Sequence, residues 1–224
     1  MSFFSTLKAV GAILLCSLVA SAAMAGNANE KPFPEQIDRA LKQLAEIPGF
    51  SCEFIQVVRF SDGGEQRYSG TLSISRPGRF HWKYQRPYEQ LYVSDGSGVW
   101  HYEADLMQAE YLQSLDTVDP VAMKLLDGQV SRKDVELLGF ESAGSDETAY
   151  SVTINSSQEL LLGLTKYGEL RWLESEDVLG NKNRILFINV EKKRRPDDYF
   201  SFVPPKGVDV INVADSRLES TDNN

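Results

Sequence analysis

Tyr68-Ser69-Gly70-Thr71-Leu72-Ser73-Ile74-Ser75, then Arg76-Pro77-Gly78, then Arg79-Phe80-His81-Trp82-Lys83-Tyr84, reads as two β-strands joined by a tight turn. Large apolar residues recur at every second position, the period of a strand with one buried face. Pro77-Gly78 supplies the fixed φ and the permissive residue that a chain reversal needs. The same alternation extends in both directions. Upstream, Phe50, Cys52 and Phe54 alternate with Ser51 and Glu53, and Ser61-Asp62-Gly63-Gly64 is a hairpin turn. Downstream, Leu91 to Ser94 and Val99 to Glu103 flank the turn Asp95-Gly96-Ser97-Gly98, and Met107 to Leu112 reads as a sixth strand.

Further strands are expected at Val135 to Glu141, Ala149 to Asn155, Leu160 to Thr165, Glu169 to Asp177 and Asn183 to Val190, with Phe200 to Val203 and Val208 to Val213 closing the set. Two segments break the period. Pro34 to Ile47 places Ile37, Leu41, Leu44 and Ala45 on one helical stripe and stops at Pro48-Gly49, while Asp119-Pro120 looks like the cap and first position of a short helix, Val121 to Leu126. The expectation is a mainly β domain, one antiparallel sheet of about ten to twelve strands with two or three helices. Such a sheet cannot stay flat, because strand twist accumulates and makes it curl or close. A barrel of that size is wider than side chains alone can fill, so its interior holds helices, water or a ligand. The apolar phase facing it comprises Phe54, Leu72, Ile74, Phe80, Trp82 and Tyr84 and, by the same alternation, Trp100 and Tyr102. Those residues either line a cavity for a hydrophobic ligand or pack against the helices. Periodicity leaves both open.

Residues 1–25 read as a cleaved signal peptide, with Lys8 as its positive end, Ala9 to Ala20 as its apolar run and Ala23-Met24-Ala25 as its cleavage site. Leu14-Leu15 ahead of Cys16 argue against lipid attachment there. Residues 26–224 form the expected single domain, with 215–224 as a flexible tail. Removing 1–25 takes away only Lys8 among the charges, so the formal net charge moves from −9 to −10. That sign argues against phosphate-backbone binding, so no nucleic-acid partner is expected. Cys52 remains as the lone cysteine, so no internal disulfide is available, and its phase with Phe50 and Phe54 reads as a small buried hydrophobe.

No active site is visible. His101, Glu103 and Asp105 alternate, but a solvated outer strand face explains them better than a metal site. Gly96-Ser97-Gly98 lacks the pattern of a nucleophile elbow. Lys192-Lys193-Arg194-Arg195 reads as a polar loop between strands in preference to a docking patch. Arg76 stands apart, because it continues the Tyr68-Gly70-Leu72-Ile74 phase onto the apolar side at a strand end. A guanidinium there needs acceptors. It either turns to solvent at the rim, which the residues alone favour, or bonds to backbone carbonyls of a covering helix.

Arg76-Pro77-Gly78-Arg79-Phe80-His81-Trp82, then Pro87, Ser94-Asp95-Gly96 and Trp100-His101-Tyr102, resembles the signature of the outer-membrane lipoprotein carrier family, LolA. Phe50 to Gln56 resembles that family's first strand, and Phe200 to Val208 its C-terminal strand and turn. The resemblance implies an incomplete, curled antiparallel β-barrel of about 11 strands, with helices as a lid over a hydrophobic cavity. It also implies a periplasmic, monomeric carrier with no cofactor, no metal and no enzymatic activity. Its partners would be triacylated lipoproteins, an ABC-type exporter complex in the inner membrane and a receptor lipoprotein at the outer membrane. The family's arginine bonds to lid backbone in the closed form, which reverses the preference for the rim and makes Arg76 the expected latch. The lid is then Val121, Met123, Leu125 and Leu126, and Phe80 lies near the surface that meets the exporter. The runner-up is a periplasmic lipid- or lipoprotein-sensing regulator of the same fold. A lipid hydrolase lacks any nucleophile–base arrangement.

Overall fold

The computed structural model describes residues 33–112, 120–156 and 159–212. The expected signal peptide, its cleavage site, Asp119 and the tail 215–224 lie outside the described residues. The chain runs α1 (Glu35–Glu46), β1 (Gly49–Arg59), β2 (Glu65–Ser75), β3 (Arg79–Arg86), β4 (Gln90–Asp95), β5 (Val99–Glu103), β6 (Gln108–Leu112) and α2 (Pro120–Leu126). It continues with β7 (Val135–Ser142), β8 (Glu147–Ile154), β9 (Glu159–Thr165), β10 (Leu170–Glu176), β11 (Lys182–Glu191) and β12 (Asp209–Asn212). Short 3-10 turns span Arg132–Asp134 and Asp197–Phe200.

All the strands join one sheet in the order β12-β6-β5-β4-β3-β2-β1-β11-β10-β9-β8-β7. Two meanders, β1 to β6 and β7 to β11, are sewn together where β1 pairs with β11, with Phe54 opposite Phe187. The sheet is open, its margins being β12 and β7. Curling is built in by twist and by register shifts that put an extra residue in β11, β3 and β10 and bend those strands.

Directly opposed residues share a face, so the register traces the concave surface from strand to strand. Phe54, Leu72, Ile74, Phe80 and Trp82 from β1 to β3 are all buried there, as are Leu162, Leu173, Ile185 and Phe187 from the other meander. The helices fill the hollow. α1 turns Ile37, Ala40 and Leu41 inward; of the expected stripe Leu44 packs on the core but Ala45 is exposed, and Ala40 takes its place, while α2 buries Ala122, Met123, Leu125 and Leu126. At about 25 cal/mol per Å² of apolar surface, a hollow left empty would forfeit several kcal/mol per large side chain.

Four expectations are corrected. Residues 200–203 are not a strand: a 3-10 turn and an extended run lie across the outer face of β3 to β5, burying Phe200 and setting Tyr199 4.8 Å from His81. The sheet is not wholly antiparallel, because β12 pairs parallel with β6, Val210 beside Ala109. Trp100 and Tyr102 do not face the interior. Trp82 opposes Tyr92, which opposes His101, so the inner residues of β5 are Val99, His101 and Glu103. Trp100 and Tyr102 point outward and pack on Phe202 at 5.7 and 5.5 Å. The outer phase of β5 carries large aromatics because the run after β11 covers that face. The outer-face reading of His101 and Glu103 fails because both lie on the inner phase, where His101 stacks on Tyr92 at 4.2 Å.

A second polar–aromatic cluster braces the outer face of the other meander. The indole of Trp172 lies over Gly163, where a Cβ would come within 2.1 Å of the ring. Glu147 accepts its N–H at 3.3 Å, and the Arg184 guanidinium covers it at 4.2 Å while donating to buried Glu174 at 2.7 Å.

Candidate functional site

The candidate site lies where β2, α1 and α2 end together. The Arg76 amide donates to Pro48 O at 3.0 Å, which fixes the strand end against the link between α1 and β1. Its side chain turns inward over the Phe50 ring, 5.9 Å from the centroid. Of the two placements open to the sequence, the guanidinium takes the covered one. Nη1 donates to Ile47 O at 2.6 Å, Nε to Asp127 O at 2.7 Å, and Nη2 to Leu126 O.

Those acceptors follow from how helices end. The last carbonyls of a helix lack intrahelical partners. Ile47 is the C-cap of α1, and Leu126 and Asp127 close α2. A planar guanidinium with five N–H groups serves three divergent carbonyls at once, which an ammonium cannot do. Burial pushes the Arg76 guanidinium below its ordinary value, and the Asp127 carboxylate opposes that shift. The same carboxylate accepts the Gly78 amide, so the turns 76–78 and 126–128 interlock. Gly128 has φ +71°, and a Cβ there would meet Leu44 O at 2.5 Å and Arg76 Nε at 2.9 Å. Only glycine both ends α2 in the left-handed region and lets it rest on α1.

The other residues singled out from the sequence fall into three groups. Phe54, Leu72, Ile74, Phe80 and Trp82 are packed core, and Tyr84 lies against it. Phe80 is buried in the row Phe50–Ile74–Phe80, next to Arg76. In the lid segment, Met123, Leu125 and Leu126 are buried and Val121 packs on the core. Trp100 and Tyr102 are on the far face. Ile47, Asp127 and Gly128 were missed, although Asp127-Gly128 after an apolar helix is a stop signal that could have found them.

Two clefts penetrate this packing. One of about 340 Å³ runs under α1, floored by Phe50, Leu126, Leu170 and Phe187. The other, about 240 Å³, opens beside α2 between Trp82, Tyr84, Tyr92, Leu173 and Ile185, with Tyr68 and Tyr88 at its mouth. Both are at or below the small end of ligand pockets, roughly 300–1,000 Å³. Cys52 is buried on the concave face, and burial pushes its thiol up to about 12. Arg194 and Arg195, from the basic run, donate to Ser75 Oγ and Ser51 Oγ at 3.0 Å each.

A curled, open, mostly antiparallel sheet whose hollow is filled by its own helices, with one arginine bonded to the ends of both, defines an apolar-interior β fold. Residues 45–203 match the family described as outer membrane lipoprotein carrier protein LolA, and the chain belongs to that family. It is 34% identical to the outer-membrane lipoprotein carrier protein of Methylibium petroleiphilum over 79% of this chain and 89% of that one. With the protein of the same name from Chromohalobacter salexigens the identity is 33% over 94% of this chain and 98% of that one. An uncharacterized conserved protein from Thermus thermophilus shares the fold, with a TM-score of 0.51 at 13% identity over 80% of this chain and 97% of that one.

Proposed function

We propose that this chain is a periplasmic carrier. It takes the acyl chains of triacylated lipoproteins from an ATP-driven exporter in the inner membrane and surrenders them to a receptor lipoprotein at the outer membrane. The observation that carries this reading is the Arg76 clasp. One side chain bonds the ends of both helices that occupy the hollow, so a few hydrogen bonds at one place hold the cover's two parts to each other. The naming of its relatives as lipoprotein carrier proteins supports the same reading.

The physical need is clear. Each buried methylene contributes about 0.8 kcal/mol, so an acyl chain of about 16 carbons represents on the order of 10 kcal/mol. Unassisted escape into water is then very slow. The carrier must cover the chain with apolar surface and still let it go. On this reading cargo displaces α2, with Val121, Met123, Leu125 and Leu126, and uncovers Phe54, Leu72, Ile74, Trp82 and Tyr84. Reclosure competes with cargo and aids release. Phe80 is buried in the closed form, so it meets an exporter only after the latch turn has moved. The test is a transfer assay: purified protein added to spheroplasts should bring lipoproteins into solution as stoichiometric complexes. Lipoproteins that stay in the membrane pellet would refute the carrier.

A further inference from the structure

The exposed apolar side chains of this fold are not spread evenly. Antiparallel strands joined by hairpins send alternate turns to opposite ends of a sheet. Turns 60–64, 87–89, 104–107 and 177–181 lie at the end away from Arg76, and turns 76–78, 96–98, 143–146 and 166–169 at the Arg76 end. The first four turns carry Phe60, Tyr88, Leu106, Met107, Val178 and Leu179, all exposed. The other four carry one large exposed apolar residue, Tyr167. Single apolar residues scattered over a surface need no explanation, but a row of them on the tips at one end does.

Two of these tips form one unit. Arg59 faces Glu65 on one side and Lys182 on the other, so the β1–β2 and β10–β11 turns leave the sheet side by side. The Ser61 amide donates across to Asn181 Oδ1 at 3.0 Å. Asp177 shapes the second turn, its Oδ1 accepting the amides of Leu179 at 2.9 Å and Asn181 at 3.0 Å. In the first, the Phe60 amide donates to Gly64 O at 2.8 Å and the Gly63 amide to Phe60 O at 3.0 Å. The braced pair projects Val178, fully exposed, and Leu179, 72% exposed, beside Phe60.

What covers them follows from area, hydrogen bonding and charge. Phe60, Val178 and Leu179 together expose on the order of 400 Å², about half of the roughly 800 Å² that each partner gives to a stable protein interface. They stand on convex tips, which a protein must meet with a shaped pocket and a fluid bilayer need not. The amides of Phe60, Gly63, Leu179, Gly180 and Asn181 are bonded within the turns, so they enter a lipid interface already satisfied. Each of the four turns also carries one acidic residue: Asp62, Glu89, Asp105 and Asp177. Carboxylates at the base of an inserted tip attract the ammonium groups of phosphatidylcholine or phosphatidylethanolamine, and an anionic lipid repels them.

We propose that this end of the sheet is a membrane-contact surface, which seats Val178, Leu179 and Phe60 in the interface of a zwitterionic bilayer. The contact is weak and reversible. A myristoyl chain gives a binding constant of about 10⁴ M⁻¹, and these three side chains, with less apolar surface, give about 10³ M⁻¹. The surface does not depend on the carrier reading.

The test is flotation of the chain, purified from the periplasm after export, with phosphatidylcholine vesicles. About half of the wild type should float at about 1 mM lipid. Val178→Ser combined with Leu179→Ser should lower the binding constant about 30-fold. Both side chains are exposed, so the fold stays intact, and Tyr167→Ser at the opposite end should leave flotation unchanged. Vesicles that include phosphatidylglycerol should bind the wild type severalfold less at low salt. Wild type that stays out of the lipid layer, a double variant that floats equally well, or tighter binding to the anionic vesicles would each overturn the proposal. A double variant that floats normally but takes up no lipoprotein from spheroplasts would overturn it too, and would assign the tips to a protein partner. Wild type that floats but releases no lipoprotein would end the carrier reading and leave this surface standing.

Discussion

Arg76→Leu isolates the clasp, because leucine keeps apolar bulk over Phe50 and removes every side-chain donor, while the backbone bond to Pro48 O stays. Hydrogen bonds from a charged donor contribute about 1.5–3 kcal/mol each. Arg76 is half-buried, so the lower end applies, and three such bonds amount to about 4–5 kcal/mol. Returning the guanidinium to water in an open form offsets part of this. The remainder, about 3 kcal/mol, shifts the closed–open balance on the order of 100-fold. Amide hydrogen exchange should rise by that factor in 120–128 and at the end of α1, with β8 and β9 reporting global unfolding for comparison. Arg76→Lys should lie between, since one ammonium cannot span three carbonyls. In a transfer assay the Leu variant should take up lipoprotein and release it more slowly. Wild-type exchange in α2 together with wild-type release would end the latch argument.

Other outcomes follow from the same packing. Burial holds the Cys52 thiol at about 12 against 9.0 in the open chain, so at pH 8 native Cys52 should alkylate on the order of 1,000-fold more slowly than in denaturant, read by peptide mapping. That raised value favours folding fully below pH 9 and loses the contribution between 9 and about 12. Comparable rates in both states would show the thiol to be accessible. Gly163→Ala must displace the Trp172 ring, at a cost of about 3 kcal/mol. Tm should fall by roughly 6–12 °C with a red-shifted tryptophan emission, and an unchanged Tm would disprove the contact. Burial lowers both His81 and His101 below the ordinary 6.5, so the unfolded chain takes up protons first and stability drops as pH falls below that value. The urea midpoint should decline between pH 7 and 5, and less so in His101→Gln. Equal declines would remove His101 from the account.

Where residue type alternates, the sequence was readable. Gly49 to Arg59, Glu65 to Ser75 and Arg79 to Arg86 alternate large apolar with polar residues, and the polar type marks the outer phase even where Ser51, Ser73 and Ser75 are covered, while Ile37 and Leu41 mark α1 by their helical spacing. Val99-Trp100-His101-Tyr102 defeats the period because residues 197–203 cover the outer face, so an aromatic finds packing in either phase. The parallel pairing of β12 joins segments about a hundred residues apart and leaves no local trace. Arg76 was conspicuous as a charge in an apolar phase. Its partners were invisible, because carbonyls of Ile47, Leu126 and Asp127 are backbone and belong to no residue type.

The filled interior bears on how a carrier can be both apolar and soluble. An empty hydrophobic hollow would collapse or expose its lining, so the chain keeps Ile37, Leu41, Met123, Leu125 and Leu126 there. On the proposed reading these side chains stand where acyl methylenes would go, and each exchange of one for the other is close to neutral, since a methylene contributes about 0.8 kcal/mol whichever molecule owns it. Two large apolar terms then nearly cancel, and a term of about 3 kcal/mol at the rim suffices to decide between them. That explains why the clasp is built from hydrogen bonds and not from more packing. Additional buried apolar contacts on α2 would deepen the closed form but have to be broken one by one. Three bonds radiating from a single half-exposed guanidinium can be surrendered to water together.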